Sequence, residues 1–219
     1  MAMLMEVANG YNNACELIIP PRSCSDCVEK ESGKVRAVGY VKTGRTFFDP
    51  TNVLEWLQAI YDGDAVIVHN INGTYNGGEA TTSEGYGYVS LKLDSRTHVL
   101  TYTEIYNCAN RDFYNAIADA QDFRVFLALD KSLRESSEPA SIIATAPVNA
   151  IETTNEFSVT VTWSERNLMD CHALPGTLFK SCADFNRLWA SFCPACNSGT
   201  TGTLVCPVDC TVPAFATFV

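Results

Sequence analysis

The sequence predicts a mainly β, α+β fold: a curled antiparallel or mixed sheet, sandwich- or barrel-like, with two short flanking helices and extended terminal arms. Three observations predict it. Apolar residues alternate with period 2 in several runs, most cleanly in FRVFLALD (123–130) and NEFSVTVTW (155–163), the signature of strands that cover a core. Only two stretches before residue 164 show a helical stripe. Both ends of the chain lose periodicity, which divides it into an N-terminal arm (1–34), a β-rich core (35–163) and a cysteine-rich C-terminal arm with one short amphipathic helix (164–219).

In chain order, 1–34 contains the polar, turn-rich PPRSCSDCVEKESGK, which reads as arm rather than core. VRAVGYVK (35–42) reads as a strand, KTGR as a tight turn and TFF as a short return strand. DPTNVLEWLQAIYDG carries start, face and stop signals: Asp49 as N-cap, Pro50 in the first turn, Val53, Trp56, Leu57 and Ile60 on one stripe, and Gly63 as the C′ residue. DAVIVHNI comes next as a strand. Residues 72–87, with five glycines and no hydrophobic face, read as a long connection of the kind that is functional or ordered by a partner.

YVSLKL and THVLTYTEIY read as strands around a turn at DSR. The next stretch pairs Phe113 with Ile117 and Tyr114 with Ala118 at i,i+4, with Asn110 as N-cap and Asp112 in the first turn. In FRVFLALD, Phe123, Val125, Leu127 and Leu129 share one face, so the sheet has one dry side. SLRESSEPASIIATAPV holds a polar turn and an apolar segment that stops at Pro147. In the C-terminal region, Phe185, Leu188, Trp189 and Phe192 fall at i, i+3, i+4 and i+7, and the tail NSGTTGTLVCPVDCTVPAFATFV reads as an arm that lies on another surface.

The 219 residues are 47% hydrophobic and 18% charged, a packed protein with a weakly charged surface. A net charge of −10 repels phosphate backbones, which excludes sequence-specific nucleic-acid binding. The apolar run at the N-terminus lacks a basic flank and is too short for a signal peptide or a membrane span. The expected site of synthesis is the cytoplasm, with no membrane partner.

Chemistry-bearing residues are few. CPAC (193–196) with Cys206 and Cys210, or with CSDC (24–27), can supply four thiolates to one tetrahedral zinc ion, so Cys193, Cys196, Cys206 and Cys210 are the candidate metal ligands. Disulfides formed after release from the cell, and inert reduced thiols, are the alternatives. His69 and His98 fall within strands, where packing is the commoner role, and no serine or cysteine motif singles out a nucleophile for them. The glycines of 72–87 lack the order of a dinucleotide loop and the lysine of a phosphate loop. Catalytic and cofactor-binding residues are therefore not expected.

Three segments, GEATTSEGYGYVSLKL, THVLTYTEIYNCANRDFYNAIADAQDFRVFLAL and ATAPVNAIETTNEFSVTVTW, together cover over half the chain. In phrasing and order they resemble the structural proteins of tailed bacteriophages, above all tail-tube-type subunits, whose sheets curl into a ring-forming barrel with a flanking helix and an extended inter-ring loop. The resemblance implies a non-enzymatic virion subunit, made in the host cytoplasm, whose partners are copies of itself and other virion proteins. The cysteine-rich arms depart from the tube pattern and keep a neck or tail-completion ring and a capsid-associated role open. A cytoplasmic zinc-binding module is the rival class. In a tube or ring, acidic residues on polar strand faces, such as Asp94, Glu104 and Glu156, are expected to line a channel that repels phosphates.

Overall fold

The alternation seen in the sequence becomes two stacked antiparallel sheets. The computed structural model describes residues 33–85, 90–106, 108–146 and 155–192. They form, in order, β1 (Ala37–Lys42), α1 (Val53–Tyr61), β2 (Ala65–Val68), β3 (Thr74–Tyr75), β4 (Glu79–Glu84), β5 (Leu91–Ile105), α2 (Cys108–Ala120), β6 (Phe123–Ala128), β7 (Ser132–Glu135), β8 (Ser141–Thr145), β9 (Glu156–Glu165), β10 (Asp170–Ala173) and α3 (Cys182–Phe192). The first sheet has the order β10-β7-β6-β1-β2, and the second β3-β5-β9-β8 with β4 also on β5. Every pairing is antiparallel. The sheets stay open, as a sandwich, and do not close into a barrel.

Between the sheets, Val38, Tyr40, Val66, Val125 and Leu127 meet Leu100, Tyr102, Ile142, Val159, Val161 and Trp163, while Phe113, Tyr114 and Ile117 of α2 join the same core. The opposite phase of the first sheet is equally apolar. Val41, Ala65, Ile67 and Phe126 pack against Trp56, Leu57 and Ile60 of α1 and Phe185 and Trp189 of α3. The first sheet is thus dry on both faces, not on one as the pattern of FRVFLALD suggested, because helices supply the second cover. The second sheet keeps a solvent face that exposes Thr101, Thr103, Ile143, Ser158 and Thr160.

Trp56 is the hub of the helix-covered side. Its ring stacks on Phe47 with centroids 4.5 Å apart and meets Phe126 and Phe179 edge-on at 4.9 and 5.0 Å. Its Nε1–H donates to Pro50 O at 2.9 Å. Beneath it, a Cβ on Gly39 would come within 3.1 Å of the indole, so a bare backbone lets the ring lie flat on the sheet.

Several sequence expectations need correction. The N-cap of α1 is Asn52, whose side chain accepts from Leu54 N at 3.0 Å; Asp49 instead holds the backbone N–H and hydroxyl of Thr51, one turn earlier. Asn110 lies inside α2, not at its cap. TFF forms no strand: Phe47 turns onto Trp56 and Phe48 points to solvent. DSR is no turn, because β5 runs unbroken through it, with Asp94 as the extra residue where the register against β4 shifts. The core boundary at 163/164 falls inside β9, and the chain from there to residue 192 is not an arm: β10 pairs with β7, and Leu178, Phe179, Phe185 and Trp189 are core residues. The N-terminal arm up to residue 32 lies outside the described residues, as does 193–219.

Candidate functional site

The most distinctive surface element lies where a loop was expected. After β3, the Gly77-Gly78 pair with φ of +80° and +82° redirects the chain into β4, which pairs with β5 from Glu79↔Thr97 to Glu84↔Leu91. All six residues of β4 are exposed. β9 reaches along β5 only as far as Arg96, so residues 91–95 have β4 as their one strand partner among the described residues. The result is a two-stranded ribbon projecting past the sandwich. Such ribbons are marginal in water on their own, and the stability of this one depends on its base.

The base is built by Asn76 and by a buried aromatic stack. Asn76 N donates to Val99 O at 3.0 Å, and its side-chain Oδ1 accepts from Val99 N at 2.9 Å and Gly78 N at 3.1 Å. Its amide also donates to Thr97 O at 3.1 Å. One side chain therefore satisfies the backbone groups that the break between β3 and β4 would leave bare. Under this junction the rings of Tyr75, His98 and Trp163 lie nearly parallel, with His98 5.9 Å from Tyr75 and 5.1 Å from Trp163.

Polar groups of the stack converge on Glu165. Its Oε1 accepts from Trp163 Nε1–H at 3.2 Å and lies 3.5 Å from His98 Nε2, while its Oε2 accepts from Ser137 N at 2.9 Å and Ser137 Oγ at 2.6 Å. The other His98 nitrogen, Nδ1, is 2.6 Å from the Tyr75 hydroxyl. Burial pushes the Tyr75 phenol up to about 12, so the phenol stays protonated and donates to Nδ1, which leaves the ring proton on Nε2 facing the carboxylate. Burial likewise lowers the His98 pKa, against the opposing pull of Glu165.

A histidine between a carboxylate and a hydroxyl has the composition of an acid–base relay, but the geometry fits a strut. His98 is 0% exposed. A Cβ on Gly78 would stand 2.5 Å from His98 Cε1; the backbone of the ribbon's base fills the position from which a substrate would approach. What this arrangement does is lock β3, β5 and β9 together under the ribbon.

A second buried network ties the layers. Tyr40 and Tyr102 share a hydrogen bond of 2.8 Å, and Tyr102 and Tyr114 one of 3.2 Å. Tyr114 then donates to Glu104, which also accepts from Asn110 Nδ2 at 2.8 Å. The chain of hydroxyls joins β1 of the first sheet, β5 of the second and α2. Burial raises the pKa of Glu104, and it raises those of Tyr40, Tyr102 and Tyr114.

Of the acidic residues expected on polar strand faces, Glu156 is on the outward phase of β9 and Asp94 is on the ribbon, accepting from Ser83 Oγ at 2.9 Å. Glu104 is not on such a face: it shares the inward phase with His98, Leu100 and Tyr102, and so is no lining residue. Cys193, Cys196, Cys206 and Cys210 lie outside the described residues, as does CSDC. Among the described residues, Cys171 and Cys182 are free thiols and no group of histidine, cysteine and carboxylate side chains is placed to hold a metal ion. His69 packs under α3, its Nε2 2.9 Å from Leu178 O and its ring tilted on Phe185, and burial lowers its pKa. No helix among the described residues is long and apolar enough to cross a membrane. No family model, curated protein or solved structure matches this chain.

Sequence reasoning missed Tyr75, Trp163, Glu165 and Ser137 as partners of His98. The available signal was phase alone: His98 stands in register with Leu100 and Tyr102, which places it on the buried side of β5.

Proposed function

We propose that this chain is a non-enzymatic structural subunit of a virion, of the tail-tube or neck-ring type found in tailed phages, and that it assembles with copies of itself through the β4–β5 ribbon. The observation that carries the reading is the ribbon: β4 is exposed along its whole length, yet its base is fixed by Asn76 and the His98 stack. A marginal two-stranded element held this firmly is suited to a neighbour's surface, where its unpaired strand edge and outward side chains gain partners. The solvent face of the second sheet supports a further contact. It presents Thr101, Thr103, Ser158 and Thr160 with the exposed apolar Ile105 and Ile143, and a face so poor in charge costs little to desolvate.

The open sandwich favours a second reading within the same class. A tube subunit is expected to curl its sheets into a barrel, whereas here both sheets keep free edges, which suits a neck-ring or capsid-associated protein. Light scattering and negative-stain electron microscopy of the purified chain, beside a variant in which 80–94 is replaced by a short glycine-serine turn, test the proposal. Rings or tubes from the wild type, and folded monomers from the variant, are the expected outcome. A wild type that stays monomeric at every concentration, or a variant that assembles equally well, would overturn it.

A further inference from the structure

A groove of about 310 Å³ opens on the flank of the molecule far in sequence from the ribbon, bordered by Ile60 and Gly63 after α1, Val66 of β2, and Phe113, Ala116 and Ala120 of α2. Its volume is at the low end of pockets that hold ligands, roughly 300–1,000 Å³. Two features define what fits it. β2 ends the first sheet, and among the described residues no strand pairs with its outer edge, so the site offers backbone groups as well as apolar walls. Ala116 and Ala120 are both exposed on α2, and their methyl groups leave the space beside β2 unfilled. An extended, apolar peptide satisfies both demands.

The chain itself carries one. α3 ends at Phe192, whose ring meets that of Tyr61 at 6.4 Å; Tyr61 is the neighbour of the groove residue Ile60. The sequence thus leaves the body beside the groove and continues to the uncharged, apolar run Ala-Phe-Ala-Thr-Phe-Val at 214–219. A coil of the length of 193–213 spans about 25 Å on average, ample to return to a site one residue from the point of exit. A tethered segment of this kind experiences an effective concentration of order millimolar, which an untethered occupant must match. We infer that the 214–219 segment of the same chain seats in this groove, with Phe215 or Phe218 between α2 and β2. The inference does not rest on the assembly reading, because it concerns a single copy.

The test uses the full chain at a concentration where light scattering shows monomers. Ala116→Trp fills the groove with an indole, and chymotryptic cleavage at Phe215 is expected to accelerate roughly tenfold as the segment is displaced. Independently, Phe215→Asp combined with Phe218→Asp leaves the groove intact, and amide exchange at Ala65–Val68 is expected to rise by a similar factor. A photo-crosslinker at position 218, in a mixture of isotopically heavy and light chains, is expected to join residues of one chain to α2 or β2. Unchanged cleavage together with unchanged exchange overturns the inference, and so do crosslinks between heavy and light chains, which would assign the groove to a second copy.

Discussion

Gly77 and Gly78 offer a clean test of the base of the ribbon, because they share a backbone conformation and differ in what surrounds them. Their φ values are +80° and +82°, and a Cβ on Gly77 meets nothing within 4 Å, whereas one on Gly78 would fall 2.5 Å from His98 Cε1 and 2.9 Å from Nδ1. Gly77→Ala therefore costs only the left-handed strain, about 1–2 kcal/mol. Gly78→Ala adds overpacking against an imidazole that cannot retreat, since Trp163 lies behind it at 5.1 Å, and such overpacking costs a further 1–3 kcal/mol, roughly. Urea unfolding of both variants, with amide exchange across residues 79–97, measures the difference. The Gly78 variant is expected to unfold earlier than the Gly77 variant by that margin and to lose protection along β4. Equal midpoints and equal protection would show that the stack does not clamp the ribbon.

Three further outcomes rest on the same contacts. Trp56→Ala removes the hub of the helix-covered side and is expected to cost about 3–5 kcal/mol, read as a large drop in the urea midpoint; a shift no greater than that of a surface substitution would contradict the packing. Tyr102→Phe leaves the hydroxyls of Tyr40 and Tyr114 without their shared neighbour and is expected to cost about 1–3 kcal/mol; an unchanged midpoint would mean that the hydroxyl chain adds nothing. For pH dependence, burial holds His69 and His98 below the ordinary histidine value, so as pH falls the unfolded chain takes up these protons first. Their contribution is fully present above the unfolded value of about 6.5 and is lost as pH falls through it toward the lowered folded values. Glu104 acts in the opposite sense, since its raised pKa lets the folded state bind a proton first at the acid end of the range. The urea midpoint is expected to fall between pH 7.5 and 5.5, and less steeply in His69→Gln and His98→Gln; a flat wild-type profile would contradict the assignment.

The strands that bury one face were legible, because burial writes itself into the sequence as alternation: Phe157, Val159, Val161 and Trp163 of β9 read correctly from phase alone. The ribbon was not legible for the converse reason. EATTSE buries nothing, so β4 carries no apolar phase and reads as loop, and the polar Asp94 and Ser95 in β5 read as a turn. Hydrogen bonding between two exposed strands leaves no hydrophobic trace. α1 was recognisable from its stripe, yet Asp49 and Asn52 are both good caps three residues apart, and which one caps α1 depends on the bond from Leu54 N that only the folded chain displays. The two-sided burial of the first sheet had a signal that the one-face reading passed over: AVIV in β2 and VFLA in β6 are apolar in both phases, as strands covered on both sides are. The helix stripe of Phe185 and Trp189 was plain, but nothing local says what it covers. The cluster around His98 joins residues 75, 98, 137, 163 and 165, and contacts of that sequence separation leave no short-range pattern.

The central claim, that the β4–β5 ribbon is the element through which copies of this chain assemble, is tested most directly by cryo-electron microscopy of the assembled particle. The account predicts a closed ring or tube in which residues 79–95 are buried against the neighbouring copy and the Tyr75-His98-Trp163 stack is unchanged. A ribbon that remains in solvent while other surfaces make the contacts, or a chain that forms no ordered particle, would contradict it.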